Sequence, residues 1–146
     1  MLSLIRPASV LLGLFTVLTG LAYPALITTV GAALFAEPAG GSLVVARGEV
    51  VGSALIGQPF VSPQYFWGRP SATSAVPYDA AASSGSNLGP TNPALVEAVR
   101  ARVAALRASD PGNAAPIPVD LVTTSGSGLD PHISPAAARW QAARVA

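Results

Sequence analysis

The stretch that decides the fold is residues 10–31, VLLGLFTVLTGLAYPALITTVG. It holds no charged side chain, and the uncharged run around it extends from Pro7 to Ala36. About 20 consecutive apolar residues span a bilayer as an α-helix. The stretch therefore predicts a single transmembrane helix over about residues 10–31. Pro24 lies inside it, and because proline removes one helical hydrogen bond we expect a kink there.

A cleaved signal peptide is the alternative interpretation of this segment. The run is longer than the apolar region of about 7–15 residues that signal peptides carry, and Leu34-Phe35-Ala36 is a poor small-residue cleavage site. A retained anchor is therefore favoured. Arg6 precedes the helix and Glu37 follows it. The positive-inside rule then favours a cytoplasmic amino terminus and an extracytoplasmic soluble domain.

The composition supports a membrane protein and excludes several classes of function. Charged residues make up 10% of the 146-residue chain, against a usual share of about 25%. Eight arginines face seven acidic residues, and a net charge of +1 gives no strong field to attract nucleic acid. The chain has neither cysteine nor lysine. Disulfides, thiolate metal sites, P-loop lysines and Schiff bases are therefore excluded.

The remainder of the chain is long enough for one small domain. We predict an N-terminal segment over residues 1–36 and a soluble domain over residues 37–146. The predicted fold class is α+β, a single N-terminal transmembrane helix followed by one small mixed α/β extracytoplasmic domain.

In the soluble part, the sequence patterns predict turns, short strands and two helices. Helix 92–107 has Asn92 as its cap, and a second helix has Ser134 as its cap and runs through Trp140, which is expected in the core. Strands are predicted at residues 49–56 and 119–123, and a loop at residues 83–87.

Ser125, Asp130 and His132 include the residue types of a hydrolase triad, and Ser127 is an alternative nucleophile. A triad is recognised by geometry, which normally draws on separate chain segments. The alternative is a turn in which these side chains bond backbone amides, and this is favoured. With one histidine in the chain, no metal site is expected.

Two further stretches are candidates for binding. The glycine-rich residues 52–58, GSALIGQ, lack the spacing and the lysine of a phosphate loop, so a strand and turn are favoured. Tyr65, Phe66 and Trp67 precede Arg69. Three consecutive aromatic side chains cannot all face one core, so at least one is expected at the surface. The group predicts either a protein interface, where aromatics and arginine are enriched, or a packed corner with Arg69 bonding loop carbonyls.

Several motifs in their order along the chain resemble the KdpC family, the C subunit of Kdp-type bacterial potassium-transporting ATPases. They are RP at 6–7, TG at 19–20, YP at 23–24, GSL at 41–43, GSALIGQ with Phe60, YFWGRPSA at 65–72, GSNL at 85–88, NPAL at 92–95, RVAALR at 102–107, PVDLVT at 118–123, SGLDPHI at 127–133 and WQ at 140–141. The resemblance covers essentially the whole chain. The family normally continues for some tens of residues further.

The resemblance implies a non-catalytic accessory subunit in the bacterial inner membrane. Its partners would be a channel-like potassium-translocating subunit, a P-type ATPase subunit and a small membrane peptide, and ATP and potassium would be handled by those partners. The family is described as assembling the complex and as a catalytic chaperone that raises the ATP affinity of the ATPase subunit. Gln58, in the glycine-rich run, is likened to a transporter signature motif and is the family's candidate nucleotide residue.

Direct contact with ATP conflicts with the predicted topology, since Gln58 would lie outside the cell. No basic residue lies between Arg47 and Arg69 to hold phosphates. An indirect effect on ATP is therefore favoured. A regulatory subunit that contacts ATP itself and a membrane-anchored hydrolase are the alternatives.

Overall fold

The computed structural model describes residues 2–146 and groups them into two compact units that divide after Val51. The boundary predicted from the sequence follows residue 36. In the structure the hairpin that succeeds the apolar helix is grouped mostly with the N-terminal unit.

The N-terminal unit begins with helix α1, Leu2–Val17, which runs through a π-helical turn, Leu18–Ala22, into helix α2, Tyr23–Leu34. In that turn the Tyr23 amide donates to the Leu18 carbonyl, five residues back. Pro24 follows at once. A proline ring clashes with the carbonyl four residues earlier, and the wider π turn is a common way of relieving that conflict.

This helix is long and apolar enough to cross a membrane. The apolar span, Leu4–Leu34, has 31 residues, and an 18-residue window within it has a mean hydropathy of 2.1. It is the one such helix in the part of the chain that the structure describes. The hydroxyls of Thr19 and Thr29 donate to the Phe15 and Ala25 carbonyls at 2.6 and 2.8 Å. These bonds satisfy the two hydroxyls inside the helix, as an apolar surrounding requires.

A short helix α3, Ala36–Ala39, leads into a hairpin of strands β1, Leu43–Ala46, and β2, Glu49–Ser53. Arg47 and Gly48 form its two-residue turn, and both have positive φ (55° and 85°), which is the backbone of a type I′ hairpin. The strand expected at 49–56 is thus present in shortened form. Strand β1 was not predicted.

Two helices, α4 (Pro93–Ser109) and α5 (Pro135–Val145), organise the C-terminal unit. The Asn92 side chain accepts from the Ala94 amide at 2.9 Å, and Ser134 accepts from Ala137 at 3.0 Å. Each bond satisfies an amide that the first helical turn leaves free. Both predicted helices and both caps are confirmed. Two short 3₁₀ turns, Ala80–Ala82 and Val119–Leu121, complete the regular structure.

The strand predicted at residues 119–123 is wrong. The Leu121 amide donates to the Pro118 carbonyl at 3.1 Å, and the Thr123 hydroxyl donates to the Val119 carbonyl at 2.8 Å. These local bonds close a 3₁₀ turn. In residues 2–146 the sheet has two strands, so no further strand pairs with this β-branched run.

The core lies where α4, α5 and the second 3₁₀ turn meet. Its buried members are Leu106, Leu121, Val122, Ala137 and Trp140. Val99 and Val103 pack against them from α4, on the apolar face that the sequence predicted, and Trp67 packs from the loop. The core position of Trp140 and the α+β fold class are confirmed.

Candidate functional site

A cavity of about 340 Å³ opens beside the core in the C-terminal unit. Three aromatic and three proline side chains line it, together with smaller and aliphatic residues and one cation, Arg102 of α4. The aromatics and prolines are Phe60, Trp67, Tyr78, Pro59, Pro70 and Pro77. The cavity thus combines a rigid apolar lining with a single positive charge, which is typical of a binding pocket.

Trp67 is fixed in this wall by the last helix. The buried Gln141 side chain accepts from the Trp67 amide at 2.8 Å and donates to the Trp67 carbonyl at 3.1 Å. The indole NH donates to the Ser62 carbonyl at 3.1 Å. The Arg144 guanidinium lies 5.2 Å from the centre of the Trp67 ring and donates to the Pro63 and Tyr65 carbonyls. The segment before Trp67 is therefore held against α5.

Arg69 points inward, toward the loop that follows the second 3₁₀ turn. Its Nε donates to the Thr123 carbonyl at 3.2 Å, and one terminal nitrogen lies 3.5 Å from Asp130 Oδ2. Of the two interpretations of this residue, the packed corner describes its contacts. About a third of the Arg69 side chain is exposed, so part of it also reaches the surface.

Asp130 is the centre of a small polar cluster. Its Oδ1 accepts from the His132 amide at 3.0 Å and lies 3.1 Å from His132 Nδ1. The His132 backbone hydrogen bond, followed by the bonds from the His132 ring and from Arg69, holds the pKa of Asp130 below its usual range against the opposing effect of burial.

Tyr78 packs across the backbone of the glycine-rich stretch. Its hydroxyl donates to the Arg69 carbonyl at 2.6 Å, and burial, with a smaller effect of the Asp130 charge, raises the pKa of Tyr78. A Cβ atom on Gly57 would lie 2.4 Å from a Tyr78 ring carbon. Gly57 is therefore needed so that the Tyr78 ring can pack against the backbone. This packing explains the glycine without a role in binding phosphate.

Gln58 lies at the surface, with its side chain over a second glycine of the same stretch. A Cβ atom on Gly52 would lie 2.5 Å from Gln58 Nε2. Both glycines of the motif thus allow side chains of the protein itself to approach the backbone.

The three consecutive aromatics divide between the surface and the core, but not by strand-like alternation, because the two exposed rings are adjacent in the chain. Trp67 is half-buried, whereas Tyr65 and Phe66 are 48% and 40% exposed. The ring of Tyr65 lies 5.5 Å from that of Phe60, centre to centre, in a tilted arrangement. An exposed aromatic patch therefore adjoins the cavity, and its role as an interface stays a prediction.

The residues of the hypothetical triad do not assemble into one. Ser125 is buried, and its hydroxyl accepts from the Gly128 amide at 2.9 Å, while Ser127 accepts from Leu129 at 3.1 Å. In residues 2–146 no hydrogen bond joins a serine to His132. The same range contains no cluster of three histidine or acidic side chains able to hold a metal ion.

Three residues of this site were not predicted from the sequence. Gln141, Tyr78 and Arg102 reach the cavity wall or fix it. Gln141 and Arg102 lie within the motifs that carry the family resemblance, and this position was the one indication in the sequence that they belong to a site. Tyr78 stands in a segment without periodicity, so nothing in the sequence indicated its position.

Comparison with known proteins gives one consistent result. The sequence profile KdpC, described as "K+-transporting ATPase, c chain", matches residues 5–146. Two curated relatives are each called "Potassium-transporting ATPase KdpC subunit". The one from Sorangium cellulosum is 68% identical and the one from Methylococcus capsulatus 62% identical, in both cases over the whole chain and 77% of the relative.

Proposed function

Because the chain belongs to the KdpC family, we propose that it is an accessory subunit of an ATP-driven potassium import complex, where it assembles and stabilises the other subunits without catalysing a reaction itself. The match of the family profile over residues 5–146 carries this proposal. The apolar helix is in keeping with it.

The partners follow from the family. We assign them as a channel-like potassium-translocating subunit, a P-type ATPase subunit and a small membrane peptide. The apolar helix anchors the chain in the inner membrane with its amino terminus in the cytoplasm, and the C-terminal unit lies outside. Arg6, near the amino end of the helix, and Glu37, after its carboxyl end, support this orientation.

Contact with these partners is assigned to the aromatic group. Tyr65 and Phe66 present exposed rings, while Trp67 and Arg69 hold the backbone that carries them. Exposed aromatic side chains on an ordered backbone lose little conformational freedom on binding, which suits an interface.

The subunit raises the ATP affinity of the ATPase subunit indirectly. Gln58 is exposed, and the glycines beside it accommodate Gln58 itself and Tyr78. Near it the sequence offers no cation between Arg47 and Arg69. A change in ATP affinity then requires the subunit to bind two states of the complex unequally.

Growth at limiting potassium tests the accessory role. A host strain lacking its own C subunit, but carrying the other subunits, is supplied with this chain or with an empty vector. We expect growth at low potassium with the chain and none without it. Equal growth of the two strains at low potassium contradicts the proposal.

Nucleotide binding is tested on the same chain in detergent. Labelled ATP at increasing concentration should show no saturable binding to the chain alone, whereas the KM for ATP of the complex should be lower with the chain than without it. Saturable labelling at Gln58 would favour the direct alternative.

A further inference from the structure

Arg102 is a half-buried cation that has no counterion among the residues that the structure describes. One of its terminal nitrogens donates to the Val122 carbonyl at 2.8 Å. The ion pairs of residues 2–146 use Arg69, Arg100 and His132, and none includes Arg102. Burial lowers the pKa of Arg102, because a partly desolvated guanidinium is less stable as a cation. An anion placed beside it would offset that cost.

The other residues that line the cavity are mostly apolar, and hydrogen bonds within the protein already fix two of its aromatic residues. Trp67 is fixed by Gln141 on both sides of its peptide unit, and Tyr78 is fixed by its bond to the Arg69 carbonyl and by its contact with Gly57. Proline and fixed aromatic side chains lose little entropy on binding. The cavity is therefore preorganised for an apolar group.

The apolar surface continues beyond the mouth of the cavity. Phe60 and Val61 line the cavity and are still 50% and 79% exposed. A surface of this kind, apolar at its centre with an arginine beside it, has the composition of the core of a protein interface.

We propose that the cavity is a docking site for a partner polypeptide of the complex, which inserts an apolar side chain among the aromatics and places a carboxylate against Arg102. The occupant is thus an exposed segment that carries an acidic residue next to a large apolar one. This inference rests on the proposed function, since that function supplies the partner.

Charge reversal with a matched control tests the carboxylate contact. The full chain carries a tag and is co-expressed with the other subunits, which are recovered from mild detergent and quantified. Arg102→Glu should lower recovery of the partner subunits at least tenfold. Arg100→Glu lies on the same helix, where its side chain is 70% exposed and pairs with Glu97, and should change recovery less than twofold.

A second pair of variants tests the apolar cavity without touching its charge. Ala105→Phe fills the cavity from α4, whereas Ala101→Phe adds the same ring at an exposed position one turn earlier that does not line it. Recovery should fall for the first variant and stay unchanged for the second. Thermal unfolding followed by tryptophan fluorescence identifies a variant that fails to fold, and the other variant then decides.

The possible results distinguish a failure of the docking site from a failure of the proposed function. If the unsubstituted chain recovers no partner subunit, the proposed function fails and this inference fails with it. If it recovers them and folded Arg102→Glu and Ala105→Phe recover them equally well, the docking site is wrong while the function stands. Saturable quenching of tryptophan fluorescence by phosphatidylglycerol vesicles, with partner recovery unchanged in both variants, would assign the cavity to lipid and overturn the proposal.

Discussion

Gln141 binds the backbone of Trp67 in both directions, accepting from its amide at 2.8 Å and donating to its carbonyl at 3.1 Å. The two residues lie 74 positions apart, and the Gln141 side chain has no exposed surface. A side chain of helix α5 thus replaces the strand partner that an extended backbone would otherwise need.

Replacing Gln141 should be among the more damaging changes to the C-terminal unit. Gln141→Ala leaves the amide and the carbonyl of Trp67 without partners, at a cost of about 2–6 kcal/mol in the free energy of unfolding, from about 1–3 kcal/mol for each unsatisfied group. The full chain in detergent is unfolded with urea and followed by fluorescence, because both tryptophans lie in this unit.

Arg139→Ala is the matched control for that change, because Arg139 lies on the exposed side of the same helix. Its urea midpoint should match that of the unsubstituted chain. A midpoint for Gln141→Ala equal to that of the control would show that the two hydrogen bonds contribute little.

Gly57 should tolerate no side chain. Gly57→Ala places a Cβ atom 2.4 Å from the Tyr78 ring and 2.9 Å from the Asp130 carbonyl, so the neighbours must move. Overpacking of this kind costs about 1–3 kcal/mol. Gly112→Ala has open space around it and should leave the melting temperature within about 2 °C of the unsubstituted chain, since surface changes are usually small. Equal melting temperatures for the two variants would contradict the packing described here.

Asp130 should make the C-terminal unit less stable in acid. Its pKa is lowered in the folded state, so its contribution is present above the unfolded value of about 3.9 and is lost as pH falls through the folded value. Urea unfolding at pH 7 and pH 3 should show a smaller difference for Asp130→Asn than for the unsubstituted chain. Glu97→Gln, at a surface pair, should keep the full difference. A difference in Asp130→Asn as large as that in the control would count against this role of Asp130.

The sequence was sufficient to predict the helices whose residue pattern is local. These elements depend on interactions between residues that are close in the sequence. They are the apolar run, the helix caps Asn92 and Ser134, and the helical spacing of Val99, Val103 and Leu106. Residues 119–123 show the limit of such signals. β-branched side chains there favoured a strand, yet a strand also needs a partner, and local hydrogen bonds formed a 3₁₀ turn instead.

The candidate site depended on contacts that no local pattern contains. Trp67 meets Gln141, Arg69 meets Thr123 and Asp130, and Gly57 meets Tyr78. In each pair at least one residue lies in a loop without periodicity, so the residue types could be noted from the sequence but their spatial neighbours could not. The expectation that at least one of the three aromatics reaches the surface was right. Two adjacent rings, Tyr65 and Phe66, are exposed, so the alternation of a strand is not what places them.

Labelling from outside the cell tests the orientation. The chain has no cysteine, so a single introduced cysteine is the only reactive thiol. Ala101→Cys, at an exposed position of α4, should react with a membrane-impermeant maleimide in spheroplasts, whereas Ser3→Cys should react only after the membrane is opened. The opposite pattern would reverse the proposed topology and restore direct contact with cytoplasmic ATP as a possibility.

The most direct test of the central claim is co-purification of the unsubstituted chain. The chain is tagged, extracted from its native host in mild detergent, and everything that remains bound is identified and quantified by mass spectrometry. We expect a P-type ATPase subunit and a potassium-translocating subunit in near-equal amounts with the chain. Recovery of the chain without either of them, both for this sequence and for a relative of full family length, would contradict its role as an accessory subunit.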